Sequence, residues 1–498
     1  MKDRTGGGRL FTYDFENGGV NDYFDVGAMR FPDIPFMKPV FDLILRNPKS
    51  PIHGMLDVIP YVMNNLNNLN FYNGIIKTDG ELNGNPPPLD PFNTGVNPPD
   101  TVSNMAKAAI GDFKTRLKTP PFAAGWEYLM QFDQFSTRDY IALVNPKYSD
   151  VLIDYMETFN TATNLYDEAL TETVMDSLDF DYDDNVSWFC VQGGAGKIAD
   201  AMASKLSQTI QYGKRVTAIA PVLNGSPNPE SVNVTIAGEA TPRNYTHVIS
   251  TIPFSCLRMV DTTQCGFNWN FQTAIRALHY DSSVKVAIRF STRWWEDSGL
   301  VNGPHLGGVS STDRPTRTVV YPSYGINENT GASIIVSYTW AQDALRFGAL
   351  AQGKGSETET VMLQTIIKDL ADMHQVDYTT LWKSIVDYKV YNWYGHEYSA
   401  GPFALFGPGQ FSNLYPEVTK PVGGLLHFAG EAASVHHAWV VGAFISAYRT
   451  VYEILLHQGF TGLIAKMVLI WGTPDEIDVS LLKQQVALGQ HMKFVQPV

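Results

Sequence analysis

Residues 425–431 read Leu425-Leu-His-Phe-Ala-Gly-Glu431, and after a short polar stretch the chain continues Ala438-Trp-Val-Val-Gly-Ala-Phe-Ile-Ser-Ala-Tyr-Arg449. The apolar run predicts a buried strand, broken at Gly430-Glu431. Val441, Phe444, Ile445, Tyr448, Tyr452 and Leu455 then recur at helical spacing, so a helix is expected to open near Trp439. The first turn of a helix leaves backbone N–H groups free at the positive end of its dipole, which suits an anionic ligand. Taken alone, the segment also reads as an ordinary strand–turn–helix of an α/β core.

The rest of the chain narrows the choice. A length of 498 residues implies about three domains and room for a large core. With 44% hydrophobic and 12% aromatic residues, the composition is that of a globular protein. A net charge of −14 argues against nucleic acid as a partner, because phosphate binding needs clustered Lys and Arg. No apolar run is long enough to cross a bilayer, so no membrane association is expected. Cys190, Cys256 and Cys265 lack metal or disulfide spacing and read as packed thiols. His436-His437 and His396-Glu397 lack a third ligand at metal spacing, so no metal site is expected. No hydrolase motif appears.

Near the start, Gly6-Gly-Gly-Arg9 precedes an apolar strand and then Tyr23-Phe-Asp-Val-Gly-Ala-Met-Arg30-Phe-Pro. From residue 39 to about 184 the pattern is mainly helical, with helices expected at 41–45, 105–117 and 146–165 around a Pro/Asn loop at 83–99. A glycine turn at Gly193, Gly194 and Gly196 leads into another helix, and strands are expected at 213–222, 231–236, 245–251, 284–290, 316–321 and 333–338. Residues beyond about 456 read as a helical tail.

The order Phe-Ala-Gly-Glu, a Trp eight residues after the Glu, then Gly-Ala and Ser-Ala resembles the flavin-contacting C-terminal segment of the flavin amine oxidase family. Gly-Gly-Arg followed by Gly27-Ala-Met-Arg30 is similar to a conserved stretch of that family's L-amino-acid oxidase branch. The resemblance implies an α/β and α+β fold: an FAD-binding Rossmann-like, doubly wound domain, a mixed-sheet substrate domain and a helical insert. It divides the chain into 1–13, 183–280 and 418–460 for FAD, 14–60 and 281–417 for substrate, 61–182 as the helical domain, and 461–498 as a helical tail. The family's cofactor domain begins with a strand, a Gly-x-Gly-x-x-Gly turn and a helix, and no such unit is found here. The chain is therefore expected to be N-terminally truncated, or one piece of a two-piece protein.

The resemblance also assigns roles. FAD is the implied cofactor. It would be held by Gly7, Gly8, Arg9, Gly27, Ala28, Met29, Arg30, Val216 (through its backbone, at the adenine), Gly430 and Glu431, and by the helix start formed by Ala438, Trp439, Val440, Val441, Gly442 and Ala443. The substrate carboxylate would meet Arg30 and Tyr338, with Ala438 and Trp439 walling the substrate cage. An Arg fork suits a carboxylate on chemical grounds, although an ordinary ion pair is the plain reading of a lone Arg. Tyr338 reads equally as a core Tyr, and Tyr321 is a competitor. The catalytic residue implied is Lys285, steering a water at the flavin; strand alternation alone would leave it on the polar face. Phe403, Trp340 and Trp439 hint at a roomy apolar pocket. The implied reaction is oxidation of an L-amino acid by O2 to a 2-oxo acid, ammonia and hydrogen peroxide. Another amine oxidase or an amino-acid monooxygenase is the rival enzyme, and a flavin-free inactive fragment the rival outside enzymology. The oligomeric state is left open, with a homodimer as one reading. Without a signal peptide the compartment stays unknown, the cytoplasm being favoured.

Overall fold

The structure, a computed structural model, describes residues 8–183, 185–223, 229–328 and 330–491. A seven-stranded sheet dominates, in the order Ile385–Asn392, Ser283–Phe290, Ser333–Trp340, Thr318–Val320, Val309–Thr312, Leu69–Tyr72, Ile75–Thr78. Its neighbours run antiparallel except Val309–Thr312 beside Leu69–Tyr72. The β-branched run Val284, Val286, Ile288 packs one face against Met362, Ile366, Ile367 and Leu370 of the helix Glu357–His374. On the opposite face Ala287, Val320 and Ile335 meet Phe24, Val26 and Trp393. The central strand is therefore buried on both sides, and one-sided alternation does not apply to it.

Helices Val102–Lys118, Phe122–Met130, Thr137–Val144, Asp150–Asn160 and Leu170–Phe180 form a separate layer whose core includes Met105, Phe113, Leu129, Met156 and Leu178. Thr101 and Ser149 cap two of them by accepting from the third backbone N–H. The helix expected over 146–165 is shortened by that Ser149 cap to Asp150–Asn160. The hairpin Leu69–Tyr72/Ile75–Thr78 lies within 61–182, the segment read as helical, yet it extends the mixed sheet. Its turn is Asn73-Gly74, both at positive φ (50° and 75°), the backbone that two-residue hairpins favour.

The remaining part joins an antiparallel trio (Val216–Val222, Ser231–Ile236, Arg243–Tyr245) to a parallel pair, Val248–Ser250 beside Leu426–Phe428. The strand expected at 245–251 is thus two strands in two sheets. The strand expected at 316–321 is trimmed to Thr318–Val320, because Arg317 sits at φ 54°. Helix Val440–His457 follows the parallel pair, as the 3.6-residue spacing predicts. Among the described residues no helix is long and apolar enough to cross a membrane.

Candidate active site

Strands Thr12–Asp14 and Tyr23–Asp25 form an antiparallel ribbon that carries the segment 27–30 back across residue 9. Val26 and Gly27 donate to the Phe11 carbonyl (2.9 and 3.1 Å), and Ala28 donates to that of Arg9 (3.3 Å). A Cβ at residue 27 would stand 1.6 Å from the Arg9 oxygen, so only glycine fits. The glycine turn at 193–196 closes the same ribbon. Its N–H groups donate to the Tyr23 hydroxyl, to Asp25 and to Thr12 at 2.8–3.0 Å, a packing role.

Lys285 reaches this turn from below. It is 2% exposed and donates to the carbonyls of Asp25 (3.0 Å) and Gly27 (2.8 Å). The polar, solvated position that alternation predicts is therefore not found, since its strand is covered on both faces. Burial pulls the Lys285 ammonium below its ordinary range, against the opposing pull of the Asp25 carboxylate. Burial likewise raises Asp25, although the Thr12 hydroxyl and the Ala195 N–H bond its anion.

Arg30, delivered by the Gly27 turn, has no carboxylate within ion-pair distance among the described residues. Its guanidinium carbon lies 4.8 Å from the centre of the Phe180 ring, 5.8 Å from Trp188 and 5.9 Å from Tyr61. Aromatic faces hold a cation without neutralising it. Phe180 also meets Trp439 edge-on at 5.0 Å, so one ring joins Arg30 to the C-terminal segment. Tyr338 pairs with Lys285 across the sheet, and the Lys285 nitrogen stands 4.5 Å over its ring. Burial pushes the Tyr338 hydroxyl up to about 12, so it stays a donor. Trp340 packs edge-on against both Tyr338 and Phe403. Tyr321 is elsewhere, buried in the sheet core against His374 (2.6 Å).

At the other end Gly430 turns at φ 126°, tied to Ser446 at 2.9 Å. Glu431 accepts from Arg9 (2.5 Å), from the Ala404 N–H and from the Ala438 N–H (both 3.2 Å). Burial alone would raise this carboxyl, but Arg9 beside it keeps it below its usual range. Ala438 takes φ 64°, and Trp439 caps helix Val440–His457 with no side chain on its first N–H groups. Residues 436–438 fold back over the helix so closely that a Cβ at Gly442 would lie 2.2 Å from the His436 oxygen. His436 and His437 bind Asp179 (3.0 Å) and Glu172 (2.6 Å) of helix Leu170–Phe180.

One cavity of about 1700 Å³ connects these groups, from Val216 past Arg9 and Glu431 to Arg30, Tyr338 and Trp439. The sequence pattern of the flavin containing amine oxidoreductase family matches residues 2–455. The chain belongs to this family. A Dictyostelium discoideum protein named as a bifunctional amine oxidase is 40% identical over 98% of the chain, and the chain spans 46% of that protein's length. L-amino-acid oxidase 4 of Hebeloma cylindrosporum is 36% identical over 94% of the chain and 79% of its own. An L-amino-acid oxidase of Siganus canaliculatus is 28% identical over 91% and 80%. Among solved structures, putrescine oxidase bound to putrescine (TM-score 0.63, 15% identity, 91% of this chain and 92% of that one) shares the fold. So does cyclohexylamine oxidase from Brevibacterium oxydans (TM-score 0.62, 15%, 94% and 92%).

This flavin amine oxidoreductase therefore has a Rossmann-like cofactor part and a mixed-sheet substrate part, and its cofactor is a flavin. The residues fit that group. The cavity exceeds the roughly 300–1,000 Å³ that a small ligand needs. The helix start at Trp439 offers uncapped N–H groups, and the buried indole N–H of Trp439 has no partner among the described residues. Gly8, Arg9, Gly27, Ala28, Met29, Arg30, Val216, Gly430, Glu431, Ala438, Trp439, Val440 and Ala443 all line the cavity. Val441 and Gly442 do not; both are buried inside the helix packing, and at most their backbone counts. Gly7 lies outside the described residues. Arg9 and Glu431, each expected to meet the cofactor, also bind one another.

Several cavity residues were not foreseen. Phe180 and Asp176 come from the helical layer, where the stripe Glu172, Asp176, Asp179, Phe180 at i, i+4, i+7, i+8 was the available signal. Tyr61 and Trp188 reach Arg30 only through tertiary packing.

Proposed function

We propose that the chain oxidises L-amino acids. The observation that carries this reading is Arg30: a guanidinium caged by three aromatic rings, lining a cavity, with no carboxylate at ion-pair distance among the described residues. A substrate carboxylate supplies the missing anion, and the Tyr338 hydroxyl is the second donor on the same wall. In the overall reaction the amino acid loses its Cα hydrogen as hydride and an N–H proton, forming C=N. Water replaces the nitrogen, giving 2-oxo acid and ammonia, and O2 takes the two electrons and two protons to become hydrogen peroxide. The flavin, when bound as FAD, supplies the hydride acceptor and the relay of electrons to O2. Val216 and Arg9 would lie along it, and the helix start at Trp439 would face its electron-rich end.

The chain's own residues do the rest. Arg30 and Tyr338 fix the carboxylate, which fixes the Cα–H direction. Trp439, Phe180, Trp340 and Phe403 exclude water from the reacting carbon. Lys285 holds the Asp25 and Gly27 carbonyls, fixing the turn that presents Arg30; a neutral fraction of its buried amine would orient a water.

The test is peroxide release by the FAD-loaded chain, measured with a panel of L-amino acids and with the matching amines lacking a carboxylate. Turnover confined to the amino acids, with Arg30→Ala raising their KM steeply, supports the reading. Equal turnover of the decarboxylated amines would sink it.

A further inference from the structure

The helix Leu170–Phe180 carries a stripe of four side chains, three of which meet the segment 436–439: Glu172 with His437, Asp179 with His436, and Phe180 with Trp439. Asp176 sits between them on the same face. It lines the cavity and has no hydrogen-bond or ion-pair partner among the described residues. Residues four apart on a helix are direct neighbours, so its carboxylate stands one turn from the ring that touches both Arg30 and Trp439. Its field reaches Tyr338 as well as Arg30. The site that would hold the substrate carboxylate is thus flanked by a second, unneutralised charge of opposite sign.

We infer that Asp176 is a specificity-determining residue, which binds the ammonium or guanidinium of a cationic substrate side chain and makes L-lysine, L-ornithine and L-arginine the preferred substrate class. This rests on the L-amino-acid reading above. An L-amino acid with a basic side chain carries one anion and a distal cation, and Arg30 and Asp176 offer the complementary pair. The cavity they share is also lined by Met175, Phe180 and Trp340, apolar and aromatic groups that suit the methylene stem. A neutral side chain of the same length would leave the Asp176 charge in the cavity without a counter-ion, a discrimination mechanism that needs no steric exclusion.

The experiment compares kcat/KM for L-lysine with that for L-norleucine, which has the same stem and no ammonium, in the FAD-loaded protein and in Asp176→Asn. Dissociation constants of both amino acids, measured by calorimetry, provide a second readout. The wild-type ratio is expected to favour lysine, and Asp176→Asn is expected to lower it roughly 10- to 100-fold, the usual weight of a hydrogen-bonded ion pair. Asp176→Glu, which keeps the charge, should recover part of the ratio. A wild type preferring norleucine overturns the inference while leaving the L-amino-acid reading intact. So does a variant that loses both substrates equally, as a base acting on the α-ammonium would. Absence of turnover and of binding with every L-amino acid overturns the reading it rests on, and this inference with it.

Discussion

Arg9 and Arg30 leave the same N-terminal ribbon and line the same cavity, yet their surroundings are opposite. Arg9 closes a salt bridge with Glu431, which also gathers the N–H groups of Ala404 and Ala438. Arg30 has no ion-pair partner among the described residues and lies against rings and the Met63 sulfur (3.6 Å). The helix Leu170–Phe180 repeats the contrast, with Glu172 and Asp179 matched to histidines and Asp176 left open. A charge with a protein partner holds the walls together, whereas in the proposed function a charge without one meets the ligand.

The largest test of the contrast is Glu431→Ala. It strands Arg9 and two N–H groups, and should cost about 3–5 kcal/mol in chemical denaturation. Arg30→Ala, which breaks no ion pair, should cost about 1 kcal/mol of stability. If the two variants denature alike, the distinction fails. In kinetics the order reverses: Arg30→Ala should lower kcat/KM for amino acids about 100-fold, mostly through KM.

A smaller effect follows from pH. Burial and the neighbouring Asp179, Glu172 and Asp181 push the Asp176 carboxyl up to about 7, while Arg30 pulls the other way. His436 and His437 stand across from the stripe, already committed to Asp179 and Glu172, and Tyr338 lies within reach. Because the carboxylate must be ionised to bind a cation, the lysine-to-norleucine ratio of kcat/KM should be flat above that pH and fall as pH drops below it, nearing about tenfold per unit. A flat ratio across the range would remove Asp176 from recognition. Smallest of all, Tyr338→Phe deletes one hydroxyl and should raise KM about fivefold, with kcat nearly kept.

Much of the fold was legible because it is written in local periodicity. The strand and helix of 426–457 and the strands at 231–236, 283–290 and 333–340 follow from patterns that side-chain burial imposes within one element. Alternation alone puts Lys285 on a polar face, because it assumes one wet face and this strand has none; only the resemblance pointed inward. The hairpin at 69–78 was absorbed into a helical segment although Asn73-Gly74 marks it. The glycine at residue 27 was legible as a motif, but the reason for it, the Arg9 carbonyl in the place of a Cβ, required two segments to meet.

By itself the sequence determined the family and the order of the elements, and it singled out Arg30, Tyr338, Lys285, Glu431 and Trp439 as candidates. Those follow from local spacing and motif order, which are properties of a one-dimensional chain. Only the tertiary structure decided which charges are neutralised. Pairing depends on contacts between residues hundreds of positions apart, such as Arg9 with Glu431 and Glu172 with His437. A charge without an ion-pair partner among the described residues, Arg30 or Asp176, is defined by the absence of such a contact, and no local pattern encodes it.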